Sequence, residues 1–362
     1  MRALIIDDLR RKGGGQTYAR ATAKVLEQIG YDTYFLTNVS SGPSQFQKVA
    51  YQVSYSFVEN SNAISDLFKI LRLRRQLQKV NTKEFDITIN NHPNVFIKRG
   101  DINILHGFSF LDQWVDENGN IISPLPPKFL KLLNLYNVYN QSFFSPNSSY
   151  TKEISSKLFQ SLGLEVTIGE VLYPPIPVRE NNLEQKKNQV LLLGRISPYK
   201  GIEEAVSAAS HGLFKMTIAG YVNQGDEAFV ERLKKRVGQN VRIMTNINED
   251  EKDRLMRETS TILSLNKKEH FGIAIAEGMS FGCVPVVPRF GGQWVDIAEK
   301  GKYGMGYATL DDLEDTILKS FDYGLDERKK IVRSINRFSL KEFEKKLRET
   351  MAKVNASRSL LV

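Results

Sequence analysis

The nine residues EHFGIAIAE, Glu269–Glu277, decide how this chain is interpreted. They follow a short apolar stretch at 260–265, whose hydroxyl-bearing and β-branched residues predict a buried strand. A helix is expected to begin near Gly272, so its first backbone N–H groups lack an intrahelical partner and are available to an anion. Glu269 lies just before that helix and Glu277 lies within it, so the two carboxylates bracket the helix start.

A ligand that suits this arrangement carries hydroxyl groups at both ends and an anionic phosphate between them, as a sugar nucleotide does. A carboxylate accepts hydrogen bonds from neighbouring hydroxyl groups. One glutamate can therefore hold the ribose and the other the transferred sugar, while the helix start offsets the diphosphate charge. The same pattern also fits two surface glutamates on an ordinary amphipathic helix, so the choice depends on the rest of the chain.

A second group of residues suited to a diphosphate follows the apolar strand predicted at 190–193. Gly194 and Arg195 come directly after this strand, and Lys200 and Gly201 follow a short distance on. An arginine and a lysine at the carboxyl end of one strand can converge on a single diphosphate, and the neighbouring glycines let the backbone approach it. This second group favours the sugar-nucleotide interpretation.

Together, these two stretches resemble the retaining glycosyltransferases of the two-domain GT-B architecture, family 4, also called glycosyl transferases group 1. The residues around Glu269 and the stretch at 172–175 are similar to those of lipid-linked-oligosaccharide α-1,2-mannosyltransferases. The resemblance implies an α/β fold with two Rossmann-like domains that face each other across a cleft. It also implies transfer of a hexose, mannose or glucose, from a GDP- or UDP-hexose to a hydroxyl group of a glycan or lipid-linked glycan. It implies retention of the anomeric configuration and no metal ion or other cofactor.

The resemblance also assigns roles to individual residues. Glu269 is expected to orient the hexose hydroxyl groups and Glu277 to hold the ribose. Arg195 and Lys200 are expected to stabilise the leaving diphosphate, and His106 to act on the sugar from the N-terminal domain. The remaining contacts to the nucleotide sugar are expected from Gly14, Gly15, Gly194, Asn246, Ile247, His270, Phe271, Gly272 and Ile273.

No side chain stands out as a nucleophile. The acceptor is therefore expected to attack from the face that the diphosphate leaves, with the leaving phosphate assisting its deprotonation. Ahead of Glu269 the chain carries Asn266, Lys267 and Lys268, where the wider family commonly has a Pro-Ser pair. The loop at this position is expected to differ from that of the family.

The N-terminal half begins with a strand, a glycine-rich turn and a helix, a unit typical of α/β domains. A strand is predicted at 1–6, followed by three consecutive glycines, Gly13 to Gly15, and a helix from Gln16 to Ile29. The glycines do not match the dinucleotide-binding fingerprint, which disfavours a nicotinamide cofactor. A plain tight turn stays open as the alternative to a diphosphate contact.

Other candidates in this half lie near predicted strand ends. His92 and His106 each follow such a strand, where open parallel sheets bind ligands. Ser145 and Asn147 are further candidates, although the hydroxyl groups of this segment are expected to cap a helix.

Four segments are expected along the chain. An N-terminal, acceptor-side domain covers 1–173 and is followed by a proline-rich linker at 174–189. The C-terminal, nucleotide-sugar-binding domain covers 190–336, where predicted strands and helices alternate as in a parallel sheet. The final helix, 337–362, is expected to cross back to the N-terminal domain.

Composition limits the remaining choices. The 362 residues include one cysteine and four histidines, which excludes an internal disulfide and disfavours a zinc cluster. The chain has no signal-peptide core or bilayer-spanning run, so a cytoplasmic protein is expected. The net charge of +9 suits acidic partners. A basic amphipathic helix predicted at 64–83 leaves two interpretations open: a solvated face, or contact with an anionic membrane at its cytoplasmic side.

Three other functions compete with this interpretation. A sugar-nucleotide epimerase of similar fold would need paired acid and base groups for C–H chemistry, which the sequence does not offer. A nucleic-acid-binding protein is suggested by the charge alone, and the basic stretches lack the aromatic platforms that single strands require, so nucleic acid is not expected as a partner. A catalytically silent complex subunit is disfavoured because Arg195, Lys200, Glu269 and Glu277 are all present.

Overall fold

The structure is a computed structural model, and it describes residues 1–7, 13–37, 48–52, 75–76, 79–91, 100–107, 116, 120, 122, 142–178, 183, 186–223 and 225–359. The chain divides into two compact units. The N-terminal unit contains Met1–Pro174 together with Phe343–Val362, and the C-terminal unit contains Pro175–Glu342. His92 and most of the basic helix predicted at 64–83 lie outside the described residues.

The N-terminal unit contains a seven-stranded sheet in which all pairs are parallel. Its strands β1 to β7 are Arg2–Ile6, Asp32–Thr37, Lys48–Gln52, Ile87–Asn90, Ile102–Leu105, Phe143–Pro146 and Thr167–Ile168. Their order across the sheet is β3-β2-β1-β4-β5-β6-β7. Strands β4 and β5 are buried along their whole length, as expected of central parallel strands covered on both faces.

In the described part of this unit, two helices follow strands of the sheet. Helix α1 spans Gly14–Gln28 and begins earlier than predicted, so Gly14 and Gly15 lie in its first turn and not in a loop. Helix α2 spans Ser149–Ser161. Its N-cap is Ser148, whose Oγ accepts a hydrogen bond from the Thr151 N–H at 2.9 Å, as predicted for the hydroxyl groups of this segment.

The C-terminal unit contains a six-stranded parallel sheet. Its strands β8 to β13 are Lys187–Leu193, Lys215–Gly220, Val241–Thr245, Thr259–Leu263, Val284–Pro288 and Met305–Tyr307, in the order β10-β9-β8-β11-β12-β13. Helices α3 to α8 are Ile202–Ala209, Glu227–Arg236, Glu249–Glu258, Ile273–Ser280, Leu313–Ser320 and Leu325–Ser334. Shorter turns are the 3-10 helices Pro198–Lys200, Glu299–Gly301 and Ile335–Phe338 and the π-helix Gln293–Ile297.

The core of this sheet is formed by the apolar strands and the helices that cover them. Val190, Met216 and Leu263 of the strands are buried together with Ile202 of α3 and Phe229 of α4. The last helix, α9, spans Leu340–Ser359. None of the helices that the structure describes is long and apolar enough to span a bilayer.

Both sheets use the same strand order. Counted from the first strand of each unit, the order is 3-2-1-4-5-6, and the N-terminal sheet adds one further strand. The chain direction across the sheet therefore reverses between β1 and β4 in one unit and between β8 and β11 in the other. Open α/β sheets bind ligands at the carboxyl ends of the strands on either side of this reversal. The predicted pair of Rossmann-like α/β domains is confirmed.

At the carboxyl edge of the second sheet, two strand ends approach each other closely. The Gly194 N–H donates a hydrogen bond to the Ala219 carbonyl at 3.0 Å. A Cβ placed on Gly220 would lie 1.7 Å from the Gly194 carbonyl oxygen, whereas a Cβ on Gly194 would meet nothing within 4 Å. Gly220 has a φ of 155° and Gly194 a φ of 144°, so a residue with a side chain would be strained at either position. The two positions differ in the space available to that side chain.

This difference allows a matched pair of substitutions. Gly194→Ala should cost about 1–3 kcal/mol, because an L-residue is strained at this φ. Gly220→Ala should cost about 1–3 kcal/mol more, because its methyl group also displaces the neighbouring backbone. Urea unfolding of both variants measures the difference, and equal losses would contradict the close approach.

Candidate functional site

The segment after β8 turns toward the end of β11, the strand on the other side of the reversal point. The 3-10 turn Pro198–Lys200 ends at Gly201, which has a φ of 68°. A Cβ on Gly201 would lie 2.6 Å from the Cβ of Leu265, so a larger residue does not fit there. This packing places the Lys200 ammonium 2.9 Å from Oε2 of Glu269.

The carboxylate of Glu269 is held on one of its two oxygens. Oε2 accepts a second hydrogen bond, from the Asn266 amide Nδ2 at 2.9 Å. The backbone carbonyl of Asn266 is held in turn by the side-chain amide of Gln293 at 2.7 Å. Within the described residues, Oε1 of Glu269 accepts no hydrogen bond. It is therefore the oxygen that a ligand hydroxyl group can reach.

The pKa of Glu269 reflects two opposing effects. Burial would raise it, but the ammonium of Lys200, the amide of Asn266 and the charge of His270 together hold the pKa below the ordinary value of 4.5. The side chain is therefore ionised at neutral pH and serves as a hydrogen-bond acceptor.

Two glycines after β12 fix the backbone at Glu269. The Gly292 N–H donates a hydrogen bond to the Glu269 carbonyl at 2.8 Å. A Cβ would lie 2.7 Å from that carbonyl oxygen at Gly291 and 1.9 Å from the His270 carbonyl oxygen at Gly292. The segment carrying Glu269 is thus positioned by direct backbone packing.

Helix α6 begins directly after this segment and its first turn carries no cap. Gly272 is the N-cap with a φ of 104°, no side chain caps the helix, and its first turn has no acidic residue. The N–H groups of Ile273 and Ala274 have no intrahelical acceptor, since they lie in the first turn. The ring of Phe271 is buried and packs edge-on against Phe338 at 5.1 Å, so it contributes to the core. This helix start is suited to an anion.

The second carboxylate, Glu277, has a different environment. Its Oε1 accepts from the Lys252 ammonium at 3.1 Å, and Lys252 also pairs with Glu249 at 2.7 Å. Burial raises the pKa of Glu277 above 4.5, and Lys252 offsets only part of this effect. Among the residues that the structure describes, no three His, Cys, Asp or Glu side chains are grouped to hold a metal ion.

The remaining predicted residues of this unit lie along the same sheet edge. Gly194 directly follows β8, and the half-buried Arg195 comes next. Asn246 has a left-handed backbone with a φ of 56°, and its Oδ1 accepts a hydrogen bond from the Val222 N–H at 3.2 Å. Ile247 packs against a small apolar cluster that includes Met256.

In the N-terminal unit the structure brings His106 and the glycine turn together. Nε2 of His106 lies 2.8 Å from Oδ1 of Asn91, and the side-chain amide of Asn91 donates to the Gly15 carbonyl at 3.0 Å. Gly14 is the first residue of α1, next to Gly15.

Sequence reasoning missed four polar side chains that these sites use. Asn266 was visible only as a departure from the family pattern, and Asn91 only as the neighbour of a candidate histidine. Lys252 lies on α5, a helix that was not predicted although Asn248 and Glu251 form its capping box. The fourth is Gln293, and the sequence carries no signal for its contact with Asn266.

Comparisons with known proteins agree with this fold. Sucrose-phosphate synthase from Thermosynechococcus elongatus superposes with a TM-score of 0.72 at 11% identity, covering 98% of this chain and 99% of that one. HepE from Anabaena, solved in complex with UDP and glucose, gives a TM-score of 0.67 at 15% identity over 97% and 99% of the two chains. The chain therefore has the GT-B fold of glycosyltransferases.

The family is indicated by the sequence of the C-terminal unit. Residues 177–330 match the model of the family Glycosyl transferases group 1. A mouse protein named GDP-Man:Man(3)GlcNAc(2)-PP-Dol alpha-1,2-mannosyltransferase is 29% identical over 206 residues, 48% of this chain and 42% of its own length. The Dictyostelium discoideum protein of that name is 24% identical over 201 residues, 48% of this chain and 40% of its own. The resemblance to glycosyl transferases group 1 and to α-1,2-mannosyltransferases is confirmed. The matches span less than half the length of these relatives.

The opposite pKa directions of the two glutamates predict opposite pH effects on stability. The lowered pKa of Glu269 contributes stability above pH 4.5 that is lost as the pH falls through its folded-state pKa. The raised pKa of Glu277 contributes stability below pH 4.5 that is lost as the pH rises through its folded-state pKa. Relative to the parent protein, the free energy of unfolding of Glu269→Gln should therefore fall as the pH rises from acid to neutral. That of Glu277→Gln should rise over the same range.

Urea unfolding across this pH range measures both trends. Glu203→Gln, on an exposed helix face, is the control for loss of a carboxylate elsewhere. Parallel trends for the two site variants would contradict the environments described above.

Proposed function

We propose that this protein is a retaining glycosyltransferase that moves a hexose, mannose or glucose, from a nucleotide diphosphate sugar to a hydroxyl group of a glycan or lipid-linked glycan. The observation that carries the proposal is the geometry at Glu269. Lys200 and Asn266 hold one carboxylate oxygen, and this residue directly precedes the uncapped start of α6. A carboxylate that can accept hydrogen bonds from hydroxyl groups thus lies next to an anion site, as a sugar diphosphate requires.

The C-terminal residues are assigned to the donor. Glu269 orients the hexose hydroxyl groups through Oε1, and Glu277, beside Lys252, accepts hydrogen bonds from the ribose. Arg195, Lys200 and the first N–H groups of α6 bind the diphosphate. The loop at Asn246 and Ile247 holds the base. In the N-terminal unit, Gly14 and Gly15 are assigned to the nucleotide sugar, and His106 is assigned to the transferred sugar.

Electrostatic stabilisation of the leaving diphosphate is the main catalytic term in this proposal. The bond between the anomeric carbon and the phosphate oxygen breaks, and the diphosphate leaves with the electron pair. The acceptor oxygen bonds to the anomeric carbon on the same face, and its proton passes to the departing phosphate oxygen. The anomeric configuration is retained, and no side chain has to act as nucleophile.

The same charges make a divalent metal unnecessary to the proposal. Two cationic side chains and a helix start face the negative charge that develops on the diphosphate. Transfer should therefore continue in the presence of EDTA.

The donor base and the acceptor are proposed from the relatives and from the charge of the chain. The names of the curated relatives contain GDP-Man and a dolichol-linked glycan, whereas HepE was solved with UDP. We propose a GDP- or UDP-hexose as donor and a lipid-linked glycan as acceptor, reached at the cytoplasmic face of a membrane. The net charge of +9 suits an anionic membrane surface.

Thermal unfolding with GDP, UDP, ADP and TDP and their hexose conjugates, with EDTA present, tests the donor site. A ligand that binds the folded state at 100 times its Kd stabilises it by about 2.7 kcal/mol, so one nucleotide series should raise the Tm. Lys200→Met should lose the shift because the diphosphate loses a cation. Lys234→Met, on the exposed face of α4, should keep it.

Product analysis with the same nucleotide sugar tests the reaction. Transfer to a prenyl-diphosphate-linked glycan with retained configuration is expected. Donor epimerisation without an acceptor, or the absence of any Tm shift in folded protein, would overturn the proposal.

A further inference from the structure

A hydrogen-bonded chain of polar side chains, buried except for the half-buried His106, connects the start of α2 to the first turn of α1 within the N-terminal unit. Ser148 Oγ donates to Thr151 Oγ1 at 2.8 Å, and Thr151 Oγ1 donates to Oδ1 of Asn147 at 2.8 Å. The Asn147 amide lies 3.3 Å from Nδ1 of His106. The chain then continues from Nε2 of His106 through Asn91 to the Gly15 carbonyl.

The residues of this hydrogen-bonded chain come from the carboxyl ends of neighbouring strands. Asn91 follows β4, His106 follows β5 and Asn147 follows β6. Their backbones are fixed by the sheet: the Asn91 N–H donates to the Ile6 carbonyl and the Asn147 N–H to the Leu105 carbonyl, both at 3.0 Å. Asn91 and Asn147 are 2% and 4% exposed. Groups buried to this extent need hydrogen-bond partners.

The Gly15 carbonyl fixes which groups donate and which accept, starting from one end of this hydrogen-bonded chain. A carbonyl only accepts, so it faces the Asn91 amide nitrogen, and the Asn91 carbonyl oxygen faces His106. Nε2 of His106 must then carry a proton and donate it. In a neutral imidazole this makes Nδ1 an acceptor, which matches the amide nitrogen that Asn147 presents when its carbonyl oxygen accepts from Thr151.

We propose that Asn91 and Asn147 are positioning residues that hold His106 neutral, with its proton on Nε2, and through it fix the Gly15 turn. This role rests on the proposed function in one respect, because Gly15 is assigned there to the nucleotide-sugar site. In this arrangement His106 is a link in the chain and does not donate or accept a proton in the reaction. That agrees with a mechanism in which the leaving phosphate takes the acceptor proton.

Protonation of the second ring nitrogen conflicts with this network. A proton on Nδ1 would point at the N–H of Asn147, so two donors would face each other across 3.3 Å. The Asn147 amide cannot rotate to present its oxygen without leaving the Thr151 hydroxyl group. The ring of Tyr18 also packs edge-on against His106 at 4.8 Å, which restricts rotation of the imidazole.

Two-bond ¹H–¹⁵N NMR spectra of the histidine rings, recorded on the whole chain at slightly alkaline pH, test this assignment directly. The spectra distinguish the two neutral tautomers and the imidazolium. The His106 signals are identified by their loss in His106→Gln, and His211→Gln and His270→Gln, both in the C-terminal unit, are the controls. The expected signal is the neutral Nε2–H tautomer. A mobile mixture of tautomers, or Nδ1–H, overturns the proposal without any need for a variant.

Three aspartate substitutions refine the test. Asn147→Asp places an acceptor against Nδ1, so the ring should change to a form with a proton on Nδ1. Asn91→Asp keeps the acceptor for Nε2–H but loses the donor to Gly15, so the Nε2–H signal should persist while transfer slows. Asn336→Asp, at an exposed position in the 3-10 turn Ile335–Phe338 of the C-terminal unit, should change neither.

The two proposals can fail separately. The ring spectra are recorded without ligand and do not depend on which reaction the protein catalyses. A normal donor-dependent Tm shift together with the wrong tautomer would overturn the positioning role alone. The expected tautomer without donor binding would overturn the proposed function alone.

Discussion

The ion pair between Lys200 and Glu269 joins two segments 69 residues apart, and the geometry of the C-terminal site depends on it. Burying a carboxylate is costly unless it is paired and hydrogen-bonded, and here the pairing outweighs the cost, since the pKa of Glu269 is lowered. The contact is possible because Gly201 packs against Leu265 and Gly292 against His270 at distances that exclude a side chain. Glycine is thus needed at these positions so that the Lys200 ammonium and the Glu269 carboxylate can meet.

The two units use one strand order for different polar chemistry. At the reversal point of the C-terminal sheet, charged side chains meet an open helix start, which suits a phosphate-bearing ligand. At the reversal point of the N-terminal sheet, neutral amides and an imidazole form a continuous hydrogen-bonded chain. Neutral groups that are fully hydrogen-bonded cost less to bury than ions, and such a network fixes side-chain orientation. We infer that the first arrangement binds charge and the second fixes backbone.

The sequence predicts well what periodicity and chain order determine. The buried strands and the helix start at Gly272 follow from local patterns. Glu269 follows from one contiguous motif, and Arg195 and Lys200 follow from another. Strand β3 and helix α5 were not predicted. The segment of β3 mixes polar and aromatic residues, and α5 has only Leu255 and Met256 as apolar residues, too few for a helical period. Asn266, Gln293 and Asn91 act through contacts across the sheet edge. No local pattern encodes such contacts, so they require the tertiary structure.

Glu269 and Glu277 belong to one motif, yet their surroundings give them opposite acid–base behaviour. Glu269 shares one oxygen with a lysine and an amide on the loop side, so its charge is retained to lower pH. Glu277 lies on α6 beside a lysine that also pairs with Glu249, and the nearby charges of Glu249 and Asp253 further raise its pKa. Glu277 is therefore the first of the two to take up a proton as the pH falls. If Glu277 holds the ribose, acid weakens the nucleotide end of the donor site before the sugar end. The shared charge of Lys252 then determines how far into the acid range the ribose contact persists.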